Sequence, residues 1–154
     1  MTISRLWDDR FMNLAKHVAD WSKDRSTKVG CVVIGPDREV RSVGYNGFPR
    51  GINDDIEHRH VRPDKYTWTE HAERNAIYNA ARVGVPLKGC TMYLPWFPCV
   101  DCARAIIQCG LEELVAIEPD MSHPQWGEQF ASALVLLRES DTSVRWYSFR
   151  SEAQ

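Results

Sequence analysis

Four residues stand at spacings that suit a catalytic metal site. Cys99 and Cys102 form a C-x-x-C motif directly after Pro98, and His71 and Glu73 form an H-x-E motif earlier in the chain. Thiolate and imidazole groups are the ligands that zinc prefers. Since His71 and the two cysteines supply three donors, one position on a zinc ion stays open, as it does in catalytic rather than structural sites.

Glu73 has a chemical task beside that open position. A carboxylate placed there takes a proton from a water molecule that the metal activates and later delivers it to a leaving group. H-x-E together with P-C-x-x-C is the signature of the zinc deaminases, in which the carboxylate is an acid/base and not a ligand. We therefore expect Zn²⁺ as the cofactor and hydrolytic deamination as the chemistry.

The elements that carry these residues must bring two helix N-termini together. HAERNAIYNAA at 71–81 and CVDCARAIIQCG at 99–110 read as helices, each starting at a candidate ligand. Side chains tilt toward the N-terminus of a helix, so His71 and Glu73, two residues apart, reach one point only at that end. Each N-terminus is equivalent to roughly half a positive charge, which favours deprotonation of a water molecule nearby.

Other uses of the cysteines and histidines stay open at this point. A closed zinc site would recruit His58, His60 or Cys90 as a fourth ligand, and a C-x-x-C motif can also be a redox pair. His58 and His60 alternate along the chain and are candidates for a second metal site, although a polar surface loop is the simpler interpretation. Cys31, Cys90 and Cys109 are expected to be buried and inert.

The rest of the chain alternates strand patterns with helical patterns. Apolar residues at steps of three and four predict a helix over 7–22, and two β-rich runs around GPDR predict a hairpin over 29–45. The segment 47–68 lacks periodicity and is expected to be a lid. The alternation predicts an α/β protein whose sheet is covered on both faces. Further strands are predicted at 90–95, 113–118 and 143–149, and a last helix at 126–137.

Length and composition restrict the classes of function. With 154 residues and a formal charge of −2, the chain suits one domain over 1–154 and lacks the charge runs of a protein that binds polymeric nucleic acid. No window is apolar enough for a signal peptide or a membrane span, so we expect a cytoplasmic protein. Five cysteines without an export signal fit metal binding better than disulfides.

Longer segments around these motifs resemble the deoxycytidylate (dCMP) deaminases of the cytidine deaminase superfamily. The similar segments are WSKDRSTKVGCVVI, GYNGFPRGINDD, HAERNAI and PWFPCVDC. The resemblance implies a three-layer α/β/α fold with a five-stranded mixed sheet. It also implies zinc-dependent hydrolysis of dCMP to dUMP and ammonia, which feeds thymidylate synthesis. The residues that it assigns to zinc and to proton transfer are His71, Cys99, Cys102 and Glu73.

The same resemblance extends to the substrate and to regulation. It implies the backbone N–H of Ala72 at the pyrimidine carbonyl and Asn46 at the sugar. Many members of the family are hexamers that dCTP activates and dTTP inhibits, so we expect a homo-oligomer, either a hexamer or a dimer. The residues implied for the regulatory pocket are Ser22, Lys23, Tyr45, Gly47 and Arg50.

Aromatic and basic residues near the motifs are further candidates for nucleotide contacts. Phe97 and Trp96 adjoin the P-C-x-x-C motif and are candidates to stack on the base, while Tyr66 and Tyr45 are candidates to close over the nucleotide. Aromatic residues at such positions can equally be core packing. A phosphate dianion needs cationic or amide partners. The candidates are Lys23, Lys28, Arg50, Lys65 and Arg104, each of which can also be an ordinary solvated residue.

Other functions share these motifs. A tRNA adenosine deaminase has the same zinc chemistry but needs cations that bind an RNA backbone, which the net charge of −2 disfavours. A non-catalytic nucleotide-binding module on this fold would keep the pocket without turnover. Among small substrates, a modified dCMP, CMP and cytidine are alternatives to dCMP.

Overall fold

A five-stranded mixed sheet lies between two layers of helices. The computed structural model describes residues 4–151. The strands are β1 (Gly30–Ile34), β2 (Val40–Tyr45), β3 (Thr91–Leu94), β4 (Glu113–Ala116) and β5 (Ser143–Trp146). Their order across the sheet is β2-β1-β3-β4-β5. β1 pairs antiparallel with β2 and β3, whereas β4 pairs parallel with β3 and β5.

Helices cover both faces of this sheet, as the alternation of patterns predicts. They are α1 (Arg5–Ala19), α2 (Lys65–Trp68), α3 (Ala72–Val83), α4 (Val100–Gln108) and α5 (Gly127–Glu139). No helix within residues 4–151 has both the length and the apolar character that crossing a membrane requires. The segment 47–68, predicted as a long loop that could be a lid, contains α2 and a 3-10 turn at Glu57–His60.

Two hydrophobic cores share the sheet, one on each face. Successive residues of a strand point to opposite faces. Val32 and Ile34 of β1 therefore pack in the core beneath α1, while Cys31 and Val33 pack in the core beneath α3, α4 and α5. The three-layer α/β/α arrangement implied by the resemblance is confirmed.

Helix α3 lies directly on the backbone of β2. A Cβ atom on Gly44 would come within 2.3 Å of the carbonyl oxygen of Ala72 and the amide nitrogen of Ala76, so only a glycine allows this approach. Ser42 adds a hydrogen bond of 2.6 Å from its Oγ to the carbonyl oxygen of Ala76. These contacts fix the helix that begins directly after His71.

Two asparagines of α3 cover the outer edge of the sheet. Asn75 donates from Nδ2 to the carbonyl oxygen of Tyr45 at 2.9 Å, and Asn79 donates to that of Val43 at 2.8 Å. Unpaired carbonyl groups on an edge strand otherwise need water or another partner. The two amides therefore satisfy the edge and hold α3 in one axial position along β2.

Candidate active site

His71, Cys99 and Cys102 bring their donor atoms together between two helix N-termini. His71 and Cys99 are the N-cap residues of α3 and α4, and Cys102 lies in the first turn of α4. Nδ1 of His71 lies 3.4 Å from Sγ of Cys99 and 3.5 Å from Sγ of Cys102. In a tetrahedron with Zn–S near ~2.3 Å and Zn–N near ~2.0 Å, neighbouring donors lie about 3.5 Å apart. The three donors therefore fit one zinc ion.

Hydrogen bonds among these three donors shift the pKa of each of them. Hydrogen bonds with Cys102 and then His71 lower the pKa of Cys99 to about 4. The hydrogen bond with Cys99, together with burial, raises the pKa of Cys102. The hydrogen bond with Cys99 also raises the pKa of His71. Because a metal ion binds deprotonated ligands, zinc binding here displaces these protons.

Glu73 is buried beside the metal ligands. It lies in the first turn of α3, is only 3% exposed, and lines the same cleft as His71. Burial raises the pKa of its carboxyl above the ordinary value of 4.5. A carboxyl group with a raised pKa is suited to accept and return a proton near neutral pH.

The predicted fourth zinc ligand and the predicted second metal site are not formed within residues 4–151. There, the three donors form a cluster without a fourth His, Cys, Asp or Glu, and no second cluster of this kind occurs. His58 instead contacts Asp64 through Nδ1, and His60 contacts the carbonyl oxygen of Asp54 through Nε2. The thiol of Cys90 points to carbonyl groups in its own turn. A zinc ion held by these three side chains would therefore have one position left for water or substrate.

A cleft with about 630 Å³ of open space leads to these donors. Ala72 and Phe97 are almost fully buried and lie deep in it, whereas Tyr66 is 40% exposed. The cleft thus has a buried end at the metal ligands and an exposed rim. Five of the residues predicted to contact substrate line it, namely Asn46, Ala72, Phe97, Trp96 and Tyr66, whereas Tyr45 does not.

Asn46 also has a structural task in the wall of this cleft. Its Oδ1 accepts a hydrogen bond of 2.8 Å from the backbone N–H of Val29, and its Nδ2 donates one of 2.9 Å to the carbonyl oxygen of Thr27. These bonds fix the orientation of the amide. An amide oxygen has two lone pairs and an amide nitrogen two hydrogens, so each atom can make one further hydrogen bond.

Trp126 lines the cleft but no pattern in the sequence marks it as a site residue. Its ring lies edge-on to His71 with a centroid distance of 6.1 Å, and edge-on to Tyr66 at 6.2 Å. Its one signal is its place at the start of a predicted helix. Arg62 and Phe130 also line the cleft and were likewise not predicted.

Lys65 is the one predicted phosphate ligand that reaches this cleft. Its Nζ contacts both carboxylate oxygens of Asp24 and the Oγ of Ser26. Burial alone would raise the pKa of Asp24, but hydrogen bonds from the backbone N–H groups of Thr27 and Ser26, and from Lys65, lower it below 3.8. Lys65 and Asp24 therefore form a largely buried ion pair.

The other predicted cations lie outside the cleft. Lys23 pairs with Asp54 at 2.8 Å. Arg104 pairs with Asp101 on its own helix. Lys28 is exposed and does not line the cleft.

A second cleft adjoins the first, with about 630 Å³ of open space. Arg50 does not reach it and donates instead to Asn79 at 2.6 Å. Ser22 is buried and donates from its Oγ to the carbonyl oxygen of Asn46. Three of the residues predicted for a regulatory pocket line the second cleft, namely Lys23, Tyr45 and Gly47.

Comparisons with known proteins agree with this geometry. The family model for the cytidine and deoxycytidylate deaminase zinc-binding region matches residues 5–118. An uncharacterized deaminase encoded in the luxG 3′ region of Aliivibrio fischeri is 38% identical over 143 residues, which cover 91% of this chain and 92% of that protein. The deoxycytidylate deaminase of Mus musculus is 34% identical over 147 residues, covering 92% of this chain and 80% of the mouse protein.

The fold is also similar to that of a solved structure. The structure of dCMP deaminase from the cyanophage S-TIM5 in complex with dCMP and dUMP matches with a TM-score of 0.78 and 20% sequence identity. The match covers 95% of this chain and 100% of the phage chain. At this level of identity the likeness concerns the fold.

Proposed function

The chain belongs to the cytidine and deoxycytidylate deaminase family, and we propose on that premise that it hydrolyses dCMP to dUMP and ammonia. One observation carries the proposal. His71, Cys99 and Cys102 converge at the end of a cleft whose wall also contains the buried carboxyl of Glu73. Zinc, when bound by these three donors, supplies a Lewis acid that activates water.

Glu73 moves the protons in this reaction. The water oxygen forms a bond to C4 of the pyrimidine, while Glu73 carries one water proton to the ring nitrogen N3. Glu73 then carries the second water proton, from the hydroxyl group now on C4, to the amino group. The C4–N bond breaks, and ammonia leaves. Because burial raises the pKa of this carboxyl, Glu73 can hold each proton while it carries it from the water oxygen to the base.

The rest of the cleft orients the base and the sugar. The backbone N–H of Ala72 belongs to the first turn of α3, whose N–H groups lack acceptors within the helix, so it donates to the pyrimidine carbonyl. Phe97 and Trp126 supply apolar ring surface near the metal end. Asn46 uses its remaining hydrogen-bonding capacity for the sugar, and Tyr66 closes over the nucleotide at the rim.

Deamination assays on four substrates test this proposal. We expect dCMP to have a higher kcat/KM than CMP, deoxycytidine or dCTP when all four are measured with the same zinc-loaded protein. A clear preference for deoxycytidine would overturn the nucleotide assignment. Tight binding of dCTP or dTTP without deamination would instead support a non-catalytic module, and salt-sensitive tRNA binding would support a tRNA deaminase.

Regulation and assembly form a second part of the proposal. The second cleft takes dCTP or dTTP through Lys23, Tyr45 and Gly47, and its shared wall of Asp24 and Lys65 couples it to the first cleft. The chain acts as one domain, in the cytoplasm, within a hexamer or a dimer. Light scattering with and without dCTP, and dCMP turnover with added dCTP or dTTP, test these points. A monomer insensitive to both nucleotides would contradict them.

A further inference from the structure

The proposed substrate carries a phosphate dianion, and the cleft offers few partners for it. Apart from the metal ligand His71, the basic side chains that line the cleft within residues 4–151 are Arg62 and Lys65. A phosphate needs fixed donors that are preferably charged. One of these two side chains must therefore supply most of the charge.

Lys65 has no donor left for a phosphate. Its ammonium group has three N–H bonds. Its Nζ lies 3.2 and 3.0 Å from the two carboxylate oxygens of Asp24 and 2.8 Å from Oγ of Ser26. Its side chain is only 9% exposed and that of Asp24 only 8%. Binding a phosphate through Lys65 would take from the largely buried carboxylate of Asp24 the cation that it is paired with, which is costly.

Arg62, unlike Lys65, has donors that remain available for a phosphate. Its Nε donates to the hydroxyl oxygen of Tyr66 at 2.7 Å. Gln125 donates to the same hydroxyl, which links the two sides of the rim. Within residues 4–151 the bond to Tyr66 is the one side-chain hydrogen bond of Arg62, so its two terminal nitrogens have no acceptor. The bond through Nε orients a planar fork whose two outer nitrogens suit a bidentate contact with phosphate.

Arg62 also stands at the correct end of the cleft. Tyr66, which it contacts, packs edge-on against Trp126 at 6.2 Å, and Trp126 packs edge-on against His71 at 6.1 Å. From His71 through Trp126 and Tyr66 to Arg62, each side chain contacts the next, and Arg62 is exposed whereas His71 is half-buried. A nucleotide whose base reaches the metal therefore extends its phosphate toward Arg62.

We propose that Arg62 binds the phosphate of the substrate and makes the enzyme prefer a nucleotide to a nucleoside. This inference rests on the proposed deamination of dCMP and assigns the charge recognition within it. Tyr66 positions the guanidinium, so that phosphate binding needs no large rearrangement of the side chain. Lys65 holds the wall of the cleft through Asp24 instead of contacting the phosphate.

Kinetics on paired substrates test the proposal. Arg62→Ala is expected to lower kcat/KM for dCMP by about 10- to 100-fold, which is the effect of one charge-assisted contact. The same variant should leave kcat/KM for deoxycytidine nearly unchanged. Arg62→Lys keeps the positive charge but not the planar pair of terminal nitrogens. Its kcat/KM for dCMP should therefore lie between those of the wild type and Arg62→Ala. Arg25→Ala, which removes an exposed arginine paired with Glu57 outside the cleft, is the matched control.

Binding of the product separates this inference from the deamination itself. On zinc-loaded protein, calorimetry should show that Arg62→Ala weakens dUMP binding about 10- to 100-fold and leaves deoxyuridine binding unchanged. An Arg62→Ala variant that keeps the wild-type preference for dUMP over deoxyuridine would overturn the proposal, even if dCMP is deaminated. If the wild-type protein deaminates no cytosine nucleotide, the function fails, while a dUMP preference lost in Arg62→Ala still establishes the phosphate site.

Discussion

Nδ1 of His71 lies 3.4 Å from Sγ of Cys99, although 28 positions separate these residues in the chain. The contact exists because α3 and α4 begin at the same place on one face of the sheet, each with a ligand as its N-cap residue. The metal site is therefore a property of the packing of two helices. Loss of one donor should affect the whole site.

Removing one ligand should remove the metal. Cys99→Ala and His71→Ala each leave two donors, so we expect zinc affinity to fall by more than about 100-fold, because even the loss of groups that only orient ligands can cost that much. Metal analysis after dialysis against a weak chelator measures this. Cys90→Ala is the control, since Cys90 lies outside the cluster and should leave zinc stoichiometric. Equal zinc content in Cys99→Ala and wild type would contradict the assignment.

Replacing Glu73 should separate metal binding from turnover. Glu73→Ala keeps the three ligands and is expected to retain zinc, while kcat falls by about 100- to 10,000-fold because Asp24, the other carboxylate that lines the cleft within residues 4–151, is paired with Lys65. Glu128→Gln removes an exposed carboxylate from the first turn of α5 and should leave both properties unchanged. Wild-type turnover in Glu73→Ala would remove Glu73 from the mechanism.

The close approach of α3 to β2 predicts different effects at two neighbouring glycines. Gly44→Ala forces a Cβ against the helix backbone, so we expect the free energy of unfolding to fall by about 1–3 kcal/mol and the zinc affinity to fall with it. Gly47→Ala has its nearest neighbour 4.0 Å away and should cost little. Chemical denaturation of both variants measures this. Equal stability of the two variants would show that α3 adjusts freely.

The Asp24–Lys65 pair predicts a dependence of stability on pH. Because the pKa of Asp24 is lower in the folded protein than its ordinary value of 3.8, the pair stabilises the fold above about pH 4. That contribution is lost as the pH falls through the lowered pKa. Asp24→Asn should therefore reduce the free energy of unfolding by about 3 kcal/mol at pH 7. Its difference from wild type should shrink below pH 4, and a difference independent of pH would contradict the assignment.

The zinc ligands could be predicted from sequence because the relevant information is local. Each motif lies within four residues, and the start of a helix places its first side chains toward the axis. The order of the strands and of the four longer helices also follows from periodicity, whereas the short helix α2 was not predicted. The mixed order of the sheet came only from the resemblance, because pattern alone does not say which strands pair.

The pairing of residues at the rim of the cleft could not be predicted, because it joins residues that are far apart in the sequence. Lys65 pairs with Asp24 across 41 positions, and no local pattern shows that its charge is already neutralised. Arg62 and Trp126 reach the cleft through loops whose path depends on tertiary packing. The basic residues chosen from sequence therefore included several that pair elsewhere, and omitted Arg62, which lines the cleft and has open terminal nitrogens.

X-ray absorption at the zinc edge of the purified protein tests the central claim most directly. We predict two sulfur ligands near ~2.3 Å, one imidazole nitrogen near ~2.0 Å and one light atom that Cys90, His58 and His60 do not supply, so the spectrum is the same in variants at those residues. A spectrum with four protein ligands, or a protein purified without stoichiometric zinc, would contradict an open catalytic metal site.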